Sequence, residues 1–296
     1  MRKVNCAVAL SILLLLPAVA CHHKRNAAKT SAEVVPVERL WAKGQAAMKK
    51  HHESTARKYF DQISLREDAG EYKDKAAIAT ADSYRMEHNV EAYAEAISRY
   101  QTFLAFHPTR PEAAYCQYEI AECYLEEVQT PDRDITPAAR AQEAYRNVVE
   151  NYPNSSYVAG AKKKLQRVND ILAAHEIKVG DFYLKDKDYP GAIARYRAVL
   201  DKYPSYWNLP LVKFRLGEAL YRGNQREEAA LYFRQIAEEQ GSTQLAKAAS
   251  KRLAQIERHD GKPSSAGQKP EKLPGGPLVQ PKGKSKHWWQ FWKKRQ

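Results

Sequence analysis

The stretches Ala96–Pro108 (AISRYQTFLAFHP), Ala141–Pro153 (AQEAYRNVVENYP) and Ala192–Pro204 (AIARYRAVLDKYP) decide the fold, because they spell one helix three times. Each carries Ala, then Tyr four residues later, then an apolar residue three further on, then Pro eight residues past the Tyr. Offsets of i, i+4 and i+7 place Ala, Tyr and Phe103, Val148 or Val199 on one buried helical stripe. Pro ends the helix because it lacks an N–H and clashes with the preceding turn. Two weaker copies extend the series: Ala56/Phe60/Ile63 with Asp68 at the Pro position, and Ala229/Phe233/Ile236 with Gly241 there.

The marker alanines 56, 96, 141, 192 and 229 lie 40, 45, 51 and 37 residues apart, so each unit has room for a partner helix before this one. Twelve residues upstream of the marker stand Gly44, Gly180 and Gly217, and slightly further back Ala81 and Ala121 keep a small residue, with Tyr84, Tyr124 and Tyr183 three positions on. A small side chain on the first helix lets the second approach closely, and the aromatic fills the space beside it. The fifth copy, FRLGEALYRGNQREEAALYFRQI (Phe214–Ile236), resembles a tetratricopeptide repeat, a helix–turn–helix unit of about 34 residues. The expected fold is therefore all-α: a solenoid of about five such units over residues 37–70, 72–108, 110–153, 156–204 and 207–241, with a closing helix to 258.

Ahead of the repeats the chain carries an address. Arg2 and Lys3 precede an apolar run, Ala7 to Leu16, too short to span a bilayer and read as the core of a signal peptide over residues 1–20. Its end, Leu16-Pro-Ala-Val-Ala-Cys21, has two readings. Ala18-Val19-Ala20 is an A-x-A site whose cleavage leaves a soluble periplasmic chain, whereas small residues directly before a cysteine resemble a bacterial lipobox, with Ala18 where that pattern usually has Leu. A lone cysteine just after the cut has no other evident role, which favours Cys21 as an acylated, palmitate-bearing N-terminus. His22 follows it, not the Asp that in enteric bacteria retains lipoproteins in the inner membrane, so the outer membrane is the expected destination. Residues 21–36 form the lipidated end and a tether. Its polar stretch reaches roughly 45 Å when extended.

Charge sits at the two ends. Residues 1–28 carry +4 and residues 259–296 carry +7 of a total of +13, leaving the repeat body at +2. A nearly neutral body argues against a nucleic-acid partner, which needs a basic face on the folded domain.

Several local features add detail. Cys116 and Cys123 lie seven residues apart on one expected helix, about 10 Å along its axis, beyond disulfide reach and without companion ligands; they read as small buried apolar residues. Asn224 with Glu227 has the spacing of a capping box, Thr136-Pro137 that of an N-cap and first helical residue, and Asn89 and Asp188 are expected caps. The third repeat is stretched in its turn, Val128–Ile135 (VQTPDRDI), where Asp132, Arg133 and Asp134 are either a partner contact or a solvated loop with internal pairing. Tyr157 to Lys185 reads as one or two helices joining repeats into a rod.

No catalytic constellation emerges. There is no G-x-S-x-G, H-E-x-x-H or phosphate-binding glycine loop, and the adjacent pairs His22-His23 and His51-His52 lack the i, i+4 spacing that puts two ligands on one helix face. A binding scaffold without metal or cofactor is the expectation. In such a solenoid the first helices line a groove, which places Trp41, Gln45, Met48 and Lys49 of repeat one and Ile78, Asp82, Arg85 and Met86 of repeat two on it. Aromatic and Met surface beside two cations suits an extended peptide with an apolar end and a free carboxylate. The alternative is that these residues pack against neighbouring helices.

The lipobox-like start, the five units, the DRD loop before TPAARAQEAY, and above all NYPNSSYVAGAKKKLQRVNDILAAHEIKVGDFYLKDKDYPGAIARYRAVLDKYP (151–204) together resemble the BamD family of outer-membrane assembly lipoproteins. The resemblance covers roughly residues 37–256 and implies a non-enzymatic member of the barrel-assembly machinery. Repeats one and two would hold unfolded outer-membrane protein precursors. Repeats three to five would dock to the POTRA domains of a BamA-like insertase and to companion lipoproteins, on the periplasmic face of the outer membrane. The other reading is a tetratricopeptide lipoprotein that coordinates peptidoglycan synthesis or envelope constriction.

The tail, residues 259–296, is rich in Pro, Gly and Lys, cannot bury a core, and is expected to be disordered. It ends in Trp288, Trp289, Phe291, Trp292, Lys293, Lys294 and Arg295, an aromatic–basic cluster suited to a membrane interface or a groove on a partner.

Overall fold

The computed structural model describes residues 35–130 and 133–260, of the last two the backbone alone. The signal peptide, Cys21, the tether as far as residue 34, Asp132 and the whole aromatic–basic end lie outside the described residues. Within them run α1 (Val37–Met48), α2 (Glu53–Ser64), a 3-10 turn (Glu67–Ala69), α3 (Tyr72–Arg85), α4 (Val90–Phe106), α5 (Ala113–Glu127), α6 (Thr136–Asn151), α7 (Val158–Lys185), α8 (Tyr189–Lys202), α9 (Leu209–Arg222), α10 (Arg226–Glu239) and α11 (Gln244–Asp260). Each helix packs on its neighbours in the chain, and α1 also touches α3 as α9 touches α11, the pattern of a tetratricopeptide solenoid.

The marker stripe lies inside. Ala56, Phe60, Ile63, Ala96, Tyr100, Phe103, Ala141, Tyr145, Val148, Ala192, Tyr196, Val199, Ala229, Phe233 and Ile236 are all buried. The small residues opposite them are there because the rings press on the first helix: a Cβ on Gly180 would lie 2.7 Å from Tyr196, and one on Gly217 would lie 2.8 Å from Phe233. Gly44 faces Phe60 in the same way.

Helix pairs turn on a shared device. His51, His88, Lys187 and Asn224, each just past a first helix, adopt positive φ of 55°, 52°, 65° and 63°. One left-handed residue reverses the chain into the second helix. This corrects the capping-box expectation: Asn224 is spent on the turn, and Gln225 stands at the cap of α10 without a side-chain bond. Asn89 and Asp188 do cap, accepting from the N–H of Ala92 at 2.9 Å and of Gly191 at 3.1 Å. At α6 the expectation is off by one: Thr136 is already helical, Ile135 stands at the N-cap without a side-chain bond, and Asp134 accepts the amide of Thr136 at 2.8 Å.

The core divides at α7, a single helix of 28 residues. Ala161, Val168, Ile171 and Leu172 belong to the cluster of repeats two and three, whereas Ala173 and Ile177 belong to that of repeats four and five. One uninterrupted helix thus ties the two cores together. Cys116 and Cys123 are buried free thiols in the first of them, and burial pushes the Cys123 thiol up to about 12.

Candidate interaction surface

The residue after the small one is acidic in four repeats: Asp82, Glu122, Asp181 and Glu218. The first three are each held from two sides. The second helix of its own repeat supplies a tyrosine hydroxyl, from Tyr100 to Asp82 at 2.5 Å, Tyr145 to Glu122 at 2.5 Å and Tyr196 to Asp181 at 2.6 Å. The helix that follows supplies the other partner: Tyr115 of α5 to Asp82 at 2.8 Å, Lys164 of α7 to Glu122 at 2.9 Å, Arg215 of α9 to Asp181 at 2.7 Å. In repeat five the ring is Phe233, which has no hydroxyl, and Arg252 of α11 takes the Glu218 carboxylate with both Nε and Nη2.

Burial of a carboxylate is costly unless every oxygen is bonded, and hydrogen bonds to charged groups are worth about 1.5–3 kcal/mol each. The clamps therefore fix the rotation of one repeat on the next more than they add net stability. Burial raises Asp82 above the ordinary carboxylate range against the lowering pull of Tyr100 and Tyr115.

Between repeats two and three the acids gather around Arg85. Its Nε lies 2.8 Å from Glu119 Oε2, in ionic contact but not aligned as a hydrogen bond, and its Nη2 lies 3.2 Å from Glu126 Oε1. Tyr93 donates to Glu126 at 2.5 Å and His88 Nδ1 lies 3.2 Å from the same oxygen. Burial pushes Glu119 up to about 7 despite Arg85. Burial acts on Glu126 too, but Tyr93 and Arg85 outweigh it and hold that carboxyl below its usual range.

The structure disperses the predicted groove. Ile78 is a core residue, 9% exposed, and belongs to the apolar cluster of repeats two and three. Asp82 is clamped and Arg85 is committed to Glu119 and Glu126, so neither is open to a peptide. Trp41 is half-buried, its ring 5.4 Å from Phe60 and 6.0 Å from Tyr72. Gln45, Met48 and Met86 are half-buried and Lys49 is exposed. In the stretched loop, Arg133 bonds Gln129 at 2.7 Å and Asp134 accepts the Thr136 amide, so both are used internally. The clamp partners Glu119, Glu122, Glu126, Tyr145, Arg215 and Arg252 escaped the sequence reading. Their signal was the acid that follows the small residue in four units.

On the opposite side, two clefts open between successive second helices. One of about 590 Å³ lies over α5 between α4 and α6, with Gln101, Gln117, Arg140, Glu143 and Asn147 among its polar lining. The other, about 690 Å³, lies over α3 between α2 and α4 and is lined by Ala77, Thr102, Phe103 and Phe106 among others. Among the described residues no group of His, Cys, Asp and Glu is placed to hold a metal ion, and no helix is long and apolar enough to cross a membrane.

The family model described as YfiO, outer membrane lipoprotein, matches residues 34–230. The outer membrane protein assembly factor BamD of Caulobacter vibrioides is 32% identical over 224 residues, covering 75% of this chain and 72% of that protein. The protein of the same name from Rickettsia prowazekii is 27% identical over 225 residues, covering 75% and 87%. Among solved structures, the TPR2AB domain of yeast Sti1 in its pHSP90 complex aligns with a TM-score of 0.39 and 14% identity, over 76% of this chain and 84% of that one.

Proposed function

The chain belongs to the YfiO outer membrane lipoprotein family, and from that premise we propose that it is a non-enzymatic outer membrane protein assembly factor of the BamD kind. The observation that carries the reading is the extent of the match: it runs from residue 34, before α1, to residue 230, in the first turns of α10, and so takes in the first four repeats and most of the fifth rather than a single unit. A generic helical pair would match over one unit. In this reading Cys21 anchors the chain by lipid to the periplasmic face of the outer membrane, and the tether holds the solenoid off the headgroups.

Repeats one and two receive unfolded outer-membrane protein precursors. With Arg85 held by its acids, Lys49 is the exposed cation beside Met48 and Gln45 that remains for a peptide carboxylate. Repeats three to five dock to the POTRA domains of a BamA-like insertase and to companion lipoproteins. The continuous α7 suits that task, since a rigid joint keeps the docking side fixed relative to the receiving side.

The test is affinity purification from detergent-solubilised envelopes with a tag inserted between Lys272 and Pro281, followed by mass spectrometry. Recovery of a POTRA-bearing barrel in near-equal amount is the expected result. Recovery of peptidoglycan synthases or Tol components without that barrel would refute the assembly role.

A further inference from the structure

The aromatic–basic end of the chain has no part in the assembly role as described, and the cleft between α2 and α4 has no occupant. We propose that the segment Trp288–Arg295 docks back into this cleft, its indole rings on the apolar floor and its cations toward the acidic rim.

The cleft is the apolar one of the two. Phe103 and Phe106 form one wall and Ala77 the floor, and the two most exposed large apolar side chains among the described residues flank it: Phe106, 75% exposed, and Leu65, 86% exposed, directly after Ser64 of the lining. Burying such surface is worth about 25 cal/mol per Å², and aromatic partners add to it. The rim is acidic. The lining carries Asp61, Asp74 and Glu95 against Lys73 and Arg99, a balance of −1 with the histidine neutral, and the adjoining stretch 61–74 as a whole carries −3. Asp68, Glu71 and Asp74 have cations of their own, whereas Asp61 and Glu67 make no ion pair among the described residues. The cleft over α5 offers neither feature: its charged lining is Arg140 with Glu143, which cancel, and it has no exposed large apolar side chain. The acids of the first-helix face are already clamped.

The tether is long enough. Residues 261–287, 27 in number, reach about 90 Å when extended. Seven helix-to-helix steps of about 8–10 Å separate α11 from α4, at most roughly 70 Å along the stack. Docking within one chain also needs only weak intrinsic affinity, since the tether supplies a high local concentration.

The experiment places a photo-crosslinking benzophenone amino acid at position 288 of the full-length chain, in detergent-solubilised envelopes holding a mixture of isotopically light and heavy protein. Expected is a crosslink within one chain, light to light or heavy to heavy, mapping to residues 61–107. Thr102→Arg, an exposed change in the cleft wall, should cut that crosslink about tenfold, the equivalent of about 1.4 kcal/mol of like-charge repulsion. Mixed light–heavy links, lipid adducts, links to another protein, links elsewhere in the chain, or no link would each overturn the proposal. So would a crosslink indifferent to Thr102→Arg. The insertase recovery described above does not depend on this outcome, so the two readings fail separately.

Discussion

Gly160 and Gly180 lie on the same helix, and replacing each by Ala should move stability in opposite directions. In both cases Ala gains about 0.5–1 kcal/mol over Gly from backbone entropy, less at Gly160 because it is the third residue of α7. What differs is the space. A Cβ at Gly160 would meet Tyr118 at 3.5 Å, an ordinary contact. A Cβ at Gly180 would stand 2.7, 3.0 and 3.1 Å from three ring carbons of Tyr196. That ring is fully buried and its hydroxyl is tied to Asp181 at 2.6 Å, so it has nowhere to retreat. Forcing a methyl into such a site costs about 1–3 kcal/mol, which exceeds the propensity gain. For a body of this size 1 kcal/mol shifts Tm by about 2–4 °C. Gly180→Ala should therefore lower Tm by about 2–6 °C, and Gly160→Ala should leave it unchanged or raise it by about 1–3 °C, read by circular dichroism melts of the two variants beside the parent. A Gly180→Ala protein as stable as the parent would refute the idea that the repeats are spaced by ring-on-glycine contact.

Three further outcomes are expected. Burial raises Glu119 to about 7 and Asp170 to about 6, so the folded chain holds these protons more tightly than the unfolded one; the stability they contribute is full below about pH 4 and is lost as pH rises through 6 to 7, and Glu119→Gln should flatten that fall in a Tm-against-pH series. Arg252→Ala leaves the buried Glu218 with only Arg222 at 3.5 Å, and hydrogen exchange should show α11 losing protection while α3 to α6 keep theirs, at a cost of about 2–4 kcal/mol; uniform protection would count against the clamp. Cys21→Ala should move the protein from the detergent-requiring membrane fraction into the soluble periplasmic fraction, and continued membrane partition would exclude lipid as the anchor.

The helices were legible because their determinants are local. Ala, Tyr and Val at i, i+4 and i+7 and a proline at the stop act within one unit, so a short window of sequence holds that instruction, whereas the left-handed turn residue, which His, Lys and Asn all fill, left no common signal and Asn224 read as a cap. The surface was less legible because its determinants are shared between units. Asp82 looks like a groove residue when counted from Ala81, and only the fold shows that Tyr115, 33 positions away, bonds to it. Arg85 reads as a free cation until α5 brings Glu119 and Glu126 against it. The same logic singles out repeat one. Its small residue, Gly44, is followed by the neutral Gln45, and its ring is Phe60, with no hydroxyl to give. With Gln45 where the other four repeats have an acid, neither the tyrosine clamp of repeats two to four nor the arginine clamp of repeat five can form here. The joint to repeat two is made elsewhere, by Trp41 on Tyr72 and by Arg57, which pairs with Glu87 at 2.6 Å and lies 4.2 Å over the Tyr84 ring. Without a buried acid to satisfy, the Gln45 amide makes no side-chain hydrogen bond among the described residues, which in the proposed reading leaves it for an extended backbone. In the proposed reading, the repeat that lacks such a clamp is the one whose first-helix residues Gln45, Met48 and Lys49 receive the precursor.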